Sequence, residues 1–246
     1  MADFNNDDNL DIVWRYHWLN NTGHNRIWLM HGNTRISEVG IERVEDNNWH
    51  IVGTGDFNLD GNADILWRNY ASGENVIWNM KDTSRDNSIT LEKQTDLNQR
   101  IVGTGDFNGD AKSDILWRNA ATGQLNIWFM DGTTKSSVQT ISSSLDLNWS
   151  VAGTGDMNND GKSDIIWRNL ATGGNTTWLM NGATKSGDLE IQDVPERNWN
   201  IVGDSDIIPI WKAEYFGNKD LAGTPIHTDS FTNVTGNITQ NWGLDA

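Results

Sequence analysis

Four stretches of this sequence carry the order Asp-x-Asn-x-Asp-x-x-x-Asp. The residues at these positions are Asp3, Asn5, Asp7 and Asp11; Asp56, Asn58, Asp60 and Asp64; Asp106, Asn108, Asp110 and Asp114; and Asp156, Asn158, Asp160 and Asp164. Three carboxylates within nine residues repel one another unless a cation sits among them. The donors are hard oxygens, with no imidazole or thiolate, so the chemistry they suit is calcium binding rather than zinc or copper binding. Magnesium fits less well, because it keeps its waters rather than fill an all-protein cage. The main-chain carbonyl of the seventh residue (Asn9, Asn62, Lys112, Lys162) would add a further oxygen. The sixth residue must turn sharply. Gly61 and Gly161 suit a positive φ and Asp8 tolerates it, whereas Ala111 costs about 1 kcal/mol there. The expectation is therefore up to four calcium ions, with the third site the weakest. A helix-flanked calcium loop opens with the same spacing but needs Glu at position twelve. Here that position is Trp14, Trp67, Trp117 or Trp167, and the flanks read as strands.

The elements that must hold these loops come from an internal repeat. Ile51 to Asn69 recurs with small changes from Ile101 to Asn119 and from Val151 to Asn169, a period of 50 residues. An earlier copy begins inside the motif at Asp3 and carries an insertion after Arg15, in Tyr16-His17-Trp18-Leu19. Each unit reads as four short strands: Ile-Val-Gly-Thr-Gly, Asp-Ile-Leu-Trp-Arg, a third such as Asn126 to Met130, and a more polar fourth such as Ser136 to Ile141. Asp131-Gly132 and Asn181-Gly182 suggest tight hairpins between the last two strands. Helical spacing of apolar residues is absent, so the fold class is all-β, and four-stranded units at this period describe propeller blades. Most tryptophans recur at three repeat positions, among them Trp14, Trp67, Trp117 and Trp167, and Trp28, Trp78, Trp128 and Trp178, which points to packing between blades.

The first unit lacks its Ile-Val-Gly strand, while Ile201-Val-Gly-Asp-Ser-Asp206 repeats that strand without a metal loop. The expected architecture is a propeller over residues 1–206, with blades about 3–50, 51–100, 101–150 and 151–200. A closing strand at 201–206 would complete the first blade and leave no open edge. The alternatives are a piece of a longer propeller or a homodimer that builds a larger ring.

Gly105-Asp-Phe-Asn-Gly-Asp110, continuing to Asp114-Ile-Leu-Trp-Arg-Asn119, resembles the FG-GAP or VCBS repeat of integrin α-subunits and many secreted bacterial proteins. That resemblance implies a β-propeller with calcium between the first two strands of each blade, and a role in adhesion or glycan binding. The chain departs from it in having four units where about seven are usual, and in Ala111. Beyond the repeat, Lys212 to Pro225, with Asn241-Trp-Gly further on, resembles the start of a protective-antigen-type sugar-binding domain. Residues 207–246 thus read as a C-terminal extension, too short for a core of its own.

Composition narrows the function. With 34 acidic against 18 basic residues the net charge is -16, which repels nucleic acid and anionic membranes unless bound cations cancel it. There is no cysteine, and no apolar run long enough to span a membrane. An extracellular location is expected, with any export signal outside this chain. No Ser/His/Asp order, phosphate loop or zinc spacing is visible, so no enzyme is expected. The expected function is a calcium-stabilised binding module for a glycan or a protein on a cell surface or matrix. The alternatives are a spacer in a larger secreted protein or a glycoside-active enzyme. Candidate ligand residues are Tyr16, His17 and Trp18 in the insertion, where a sugar face could stack, and the repeated Trp67, Arg68 and Asn69. Arg15, Arg68, Arg118 and Arg168 would otherwise pair with the acidic loops.

Overall fold

The structure, a computed structural model, describes residues 2–16, 23–141, 146–195, 210–215 and 227–232, the last two stretches as backbone only. All the described regular structure is β. β1 (Ile12–Arg15), β2 (Asn25–His31) and β3 (Thr34–Ile41) form the first sheet. Three four-stranded sheets follow: β4 (Trp49–Gly55) to β7 (Ser84–Leu91), β8 (Gln99–Gly105) to β11 (Thr134–Ile141), and β12 (Trp149–Gly155) to β15 (Thr184–Ile191). Every neighbouring pair is antiparallel and sequential, and the four sheets are the blades of a four-bladed β-propeller. The first blade shows three strands among the described residues. Residues 201–206, expected to complete it, lie outside them.

The position of a strand in its blade follows from its composition. The second strands β5 (Asp64–Asn69), β9 (Asp114–Asn119) and β13 (Asp164–Asn169) are buried at every residue, because both their faces lie within the stacked blades. Their Ile, Leu and Trp side chains supply the apolar area that holds such a stack together. The fourth strands, such as β7 with Ser84, Arg85, Asp86 and Asn87 all exposed, are polar outer edges. Charges there discourage pairing with another sheet edge. The first strands are glycine-rich because neighbours approach closely. A Cβ on Gly53 would sit 2.6 Å from Thr104 Cγ2, and one on Gly103 would sit 2.5 Å from Thr154 Cγ2. The same threonines join the blades, Thr104 Oγ1 donating to Thr54 O at 2.7 Å and Thr154 Oγ1 to Thr104 O at 2.6 Å.

The hairpins between the third and fourth strands differ from the sequence reading by one residue. Asp131 pairs with Thr134 and Asn181 with Thr184, so the turn residues are Gly132-Thr133 and Gly182-Ala183. Of each turn pair only the glycine has positive φ (62°), which is the requirement of a II′ turn rather than of a turn with both residues left-handed. In the C-terminal stretch, β16 (Ile210–Tyr215) pairs antiparallel with β17 (His227–Thr232), Ile210 opposite Thr232 and Tyr215 opposite His227.

Candidate metal loops and the blade seams

Each Asp/Asn loop links the first and second strands of a blade and is wound by its own side chains. In the second blade, Asp56 Oδ1 accepts from Leu59 N at 2.7 Å and Asp60 N at 3.2 Å, and its Oδ2 accepts from Gly61 N at 2.9 Å. Asn58 Oδ1 accepts from Asp60 N at 2.9 Å, and Asp60 Oδ1 accepts from Asn62 N at 2.8 Å. Asn58 Nδ2 donates to Asp60 Oδ2 at 2.9 Å, which holds the third and fifth side chains together. The third and fourth loops repeat these contacts through Asp106, Asn108 and Asp110, and through Asp156, Asn158 and Asp160. In the first loop Asn5 Nδ2 donates to Asp7 Oδ2 and Asp8 N to Asp3 Oδ2. The Asn5 amide, with the Asn9 donors, holds the Asp7 carboxyl below its ordinary range.

Position six is left-handed in every loop, with Asp8 at φ 63°, Gly61 at 86°, Ala111 at 64° and Gly161 at 82°. Position four is left-handed too, at Asn6, Leu59, Gly109 and Asn159. Sequence reasoning missed this second turn, because Leu59 gives no sign of it. The third loop follows the same path as the others despite Ala111, whose N donates to Asp106 Oδ2 at 2.6 Å.

The ninth-position aspartates are also tied into the blade itself. Asp64 is fully buried, its Oδ2 accepting from Phe57 N and its Oδ1 from Met80 N, both at 2.9 Å. Asp11, Asp114 and Asp164 make the equivalent pair of contacts. Each carboxyl is a strut that ties the start of its loop to the third strand. Burial pushes these groups up, Asp64 and Asp164 to about 6 and Asp114 to about 7, against the two N–H bonds that favour the charged form. Burial raises Asp11 in the same sense.

Among the described residues no three His, Cys, Asp or Glu side chains converge as ready-made metal ligands. What each loop gathers is two carboxylates and an amide, Asp56, Asn58 and Asp60 in the second blade, with oxygen donors only. That donor chemistry fits a hard divalent cation. The seventh residues lie beside these groups, and the Lys112 ammonium pairs with Asp131 at 2.6 Å.

The Trp-Arg-Asn segment lies at the other end of the second strand. Trp67 is 1 % exposed, Arg68 0 % and Asn69 3 %. This corrects their reading as a ligand platform, since none of them offers a face to an outside molecule. Asn69 Oδ1 caps the following turn by accepting from Ala71 N and Ser72 N, while its Nδ2 donates to Asp46 Oδ2. For Arg15, Arg68 and Arg118 the alternative, pairing with the acidic metal loops, is corrected as well, since the hydrogen bonds of their guanidinium groups go to main-chain carbonyls and an amide. Arg68 donates to Asn75 Oδ1, Gly73 O and Gln94 O, and Arg168 to the equivalent Asn175 Oδ1, Gly173 O and Val194 O. Arg15 and Arg118 likewise donate to carbonyl oxygens, including those of Asp46 and Asp146.

The guanidinium groups also stack across the seams. Arg15 lies over Trp67 of the next blade at 5.1 Å, Arg68 over Trp117 at 4.9 Å and Arg118 over Trp167 at 5.1 Å. Within each blade that tryptophan meets a second one, as Trp67 meets Trp78 at 4.7 Å. A further cation closes the pile: Arg35 over Trp28, Arg85 over Trp78, Lys135 over Trp128 and Lys185 over Trp178. These outer cations were missed, although a basic residue recurring at one repeat position was the available signal. Trp14 differs from its counterparts in being 45 % exposed. Within the insertion Tyr16 is exposed, while His17 and Trp18 lie outside the described residues.

No described helix is long and apolar enough to cross a membrane. In comparison with known families, residues 3–67 and 106–167, more than half of the chain, match the FG-GAP-like repeat. No curated protein matches closely enough to stand as a relative.

Proposed function

Because the chain belongs to the FG-GAP-like repeat family, a family of binding and structural propellers that are generally non-enzymatic, we propose that it is a calcium-stabilised extracellular binding module. The observation that carries the calcium part is the fourfold recurrence of one loop with two carboxylates and an amide knit together and only oxygen to offer. A cation there offsets the repulsion of the paired carboxylates and part of the net charge of -16. The oxygen donors are Asp3, Asn5 and Asp7 and their equivalents, supported by the seventh-position carbonyls. The ninth aspartates act through the strut. In this reading the ions hold the blades rigid, and the blades present loops to a glycan or a protein on a cell surface or matrix. The exposed Tyr16 and the adjoining His17 and Trp18 are the candidate contact, because they depart from the repeat that the fold requires.

The burial of the Trp-Arg-Asn segment favours a second reading, a spacer propeller that binds no ligand. Two measurements separate these. Calcium titration by calorimetry, with thermal unfolding in calcium and in chelator, tests the metal: ligand bound only to the native state must raise its stability, so an unchanged unfolding temperature sinks the calcium reading. A glycan array run with and without chelator tests the module, since a spacer binds no sugar under either condition.

A further inference from the structure

The three seams among the described residues share a feature that the stacking leaves unexplained. Arg15 Nε, Arg68 Nε and Arg118 Nε are buried without a hydrogen-bond partner, and so are Trp67 Nε1, Trp117 Nε1 and Trp167 Nε1. These six donors form three pairs, each made of an arginine and the tryptophan over which its guanidinium lies, 4.9 to 5.1 Å from the ring centroid. Isolated orphans occur in folded proteins, but the same two in every described seam is a structural pattern. A buried N–H without an acceptor costs its full desolvation energy, and the repeat would incur that cost at every seam.

We propose that each seam holds one bound water molecule, which accepts hydrogen bonds from the arginine Nε–H and the tryptophan Nε1–H. Each guanidinium carbon lies over its tryptophan ring at 4.9 to 5.1 Å, a separation at which one small acceptor beside the stack would serve both donors. A buried water needs two or more polar partners, and the pair supplies them. Its own hydrogens then bond to carbonyl oxygens, which already crowd the arginines through Val44, Asp46, Gly73, Gln94 and Asp146.

Charge selects water over a halide, although both accept from such donors. Burial lowers the pKa of each seam arginine, and the carboxylates of Asp46, Asp96 and Asp146 act on Arg15, Arg68 and Arg118 in the opposite sense, so each seam already has an anion near its cation. The carboxylates of Asp46 and Asp96 are taken up by amides, Asp46 by Asn48 and Asn69 and Asp96 by Asn98 and Asn119. They are therefore committed elsewhere and do not accept from Nε, and they disfavour a second anion in the seam. A net charge of -16 acts in the same direction. The blades are thus joined by a hydrated aromatic stack rather than a dry one, and the seam water is part of the repeat.

The test uses the whole chain. Crystals grown in sodium bromide and measured at the bromine edge should show, in each of the three seams, a density peak without anomalous signal within hydrogen-bond distance of both nitrogens. An anomalous peak there would make the ligand an anion and overturn the proposal, as would a protein carbonyl within reach of both nitrogens. In solution, the indole N–H protons of Trp67, Trp117 and Trp167 should show cross-relaxation with long-lived water, and a Trp117→Phe variant should lose one of the three signals. If Trp117→Phe does not fold, the wild-type spectrum decides by itself: three indole protons without any water signal refute the bound water.

Discussion

The guanidinium of Arg68 lies over the indole ring of Trp117 in the next blade, its carbon 4.9 Å from the ring centroid, and 5.5 Å from the ring centroid of Tyr70. The side chain is fully buried and its hydrogen bonds go to neutral oxygens, so the positive charge is stabilised largely by π-faces and carbonyl dipoles. Lysine reproduces neither the planar stack nor the fork. Arg68→Lys is expected to destabilise the protein by about 2–4 kcal/mol, read as a lower midpoint in urea unfolding with the slope unchanged. A loss below the error of the measurement would mean that the stack contributes nothing to the seam.

Asp64 tests the strut. Both oxygens of its carboxylate accept from main-chain N–H groups, of Phe57 and of Met80. Asp64→Asn keeps the shape but turns one acceptor into a donor, leaving a buried N–H opposed to an NH2 group. The expected cost is about 1–3 kcal/mol, measured by thermal unfolding in chelator so that no metal contributes.

Ala111 holds a left-handed conformation at φ 64° that glycine adopts without strain. Ala111→Gly should raise stability, by about 0.5–1 kcal/mol once the extra freedom of glycine in the unfolded chain is subtracted. The converse change, Gly61→Ala in the second loop, should lower it by a similar amount. If calcium binds as proposed, the same pair of variants should strengthen the third site and weaken the second in calorimetric titration.

The pH dependence follows from the buried aspartates. Their folded-state values, about 6 for Asp64 and Asp164 and about 7 for Asp114, lie above the ordinary 3.8. The folded protein therefore holds these protons more tightly than the unfolded chain does. Their contribution to stability is complete below about pH 4 and is lost as pH rises through about 6 to 7, on the order of 2 kcal/mol for each group. In chelator the unfolding temperature should fall from about pH 4 to about pH 7. Calcium should reverse that slope, because it binds the ionised loops. A flat profile in chelator would show that the struts titrate at their ordinary value.

Much of the architecture was legible in the sequence for a physical reason: a structure built of repeats states its local rules several times. Four copies of the Asp/Asn spacing identify the loop, and the recurring Ile-Val-Gly and Ile-Leu-Trp segments identify its flanking strands. Where a signal rests on one residue it fails. Leu59 carries no mark of its left-handed turn, and the Asp131-Gly132 dipeptide does not show which of its residues enters the hairpin. The ninth aspartates Asp11, Asp64, Asp114 and Asp164 read as a further carboxylate donor in each loop, and what the loop's own sequence could not show is that N–H groups such as Met80 N, from a strand beyond the loop, also engage them.

The Asp/Asn order by itself determined where an oxygen-rich loop must lie, because alternation and turn geometry are local properties of a few neighbouring residues. Tertiary structure alone decided what Trp67, Arg68 and Asn69 do. Their types suit a binding platform or a seam equally well, and only the stacking of one blade on the next buries them and commits them to the seam. Burial and cross-blade contact depend on residues about one repeat away, so no reading of the local segment contains them.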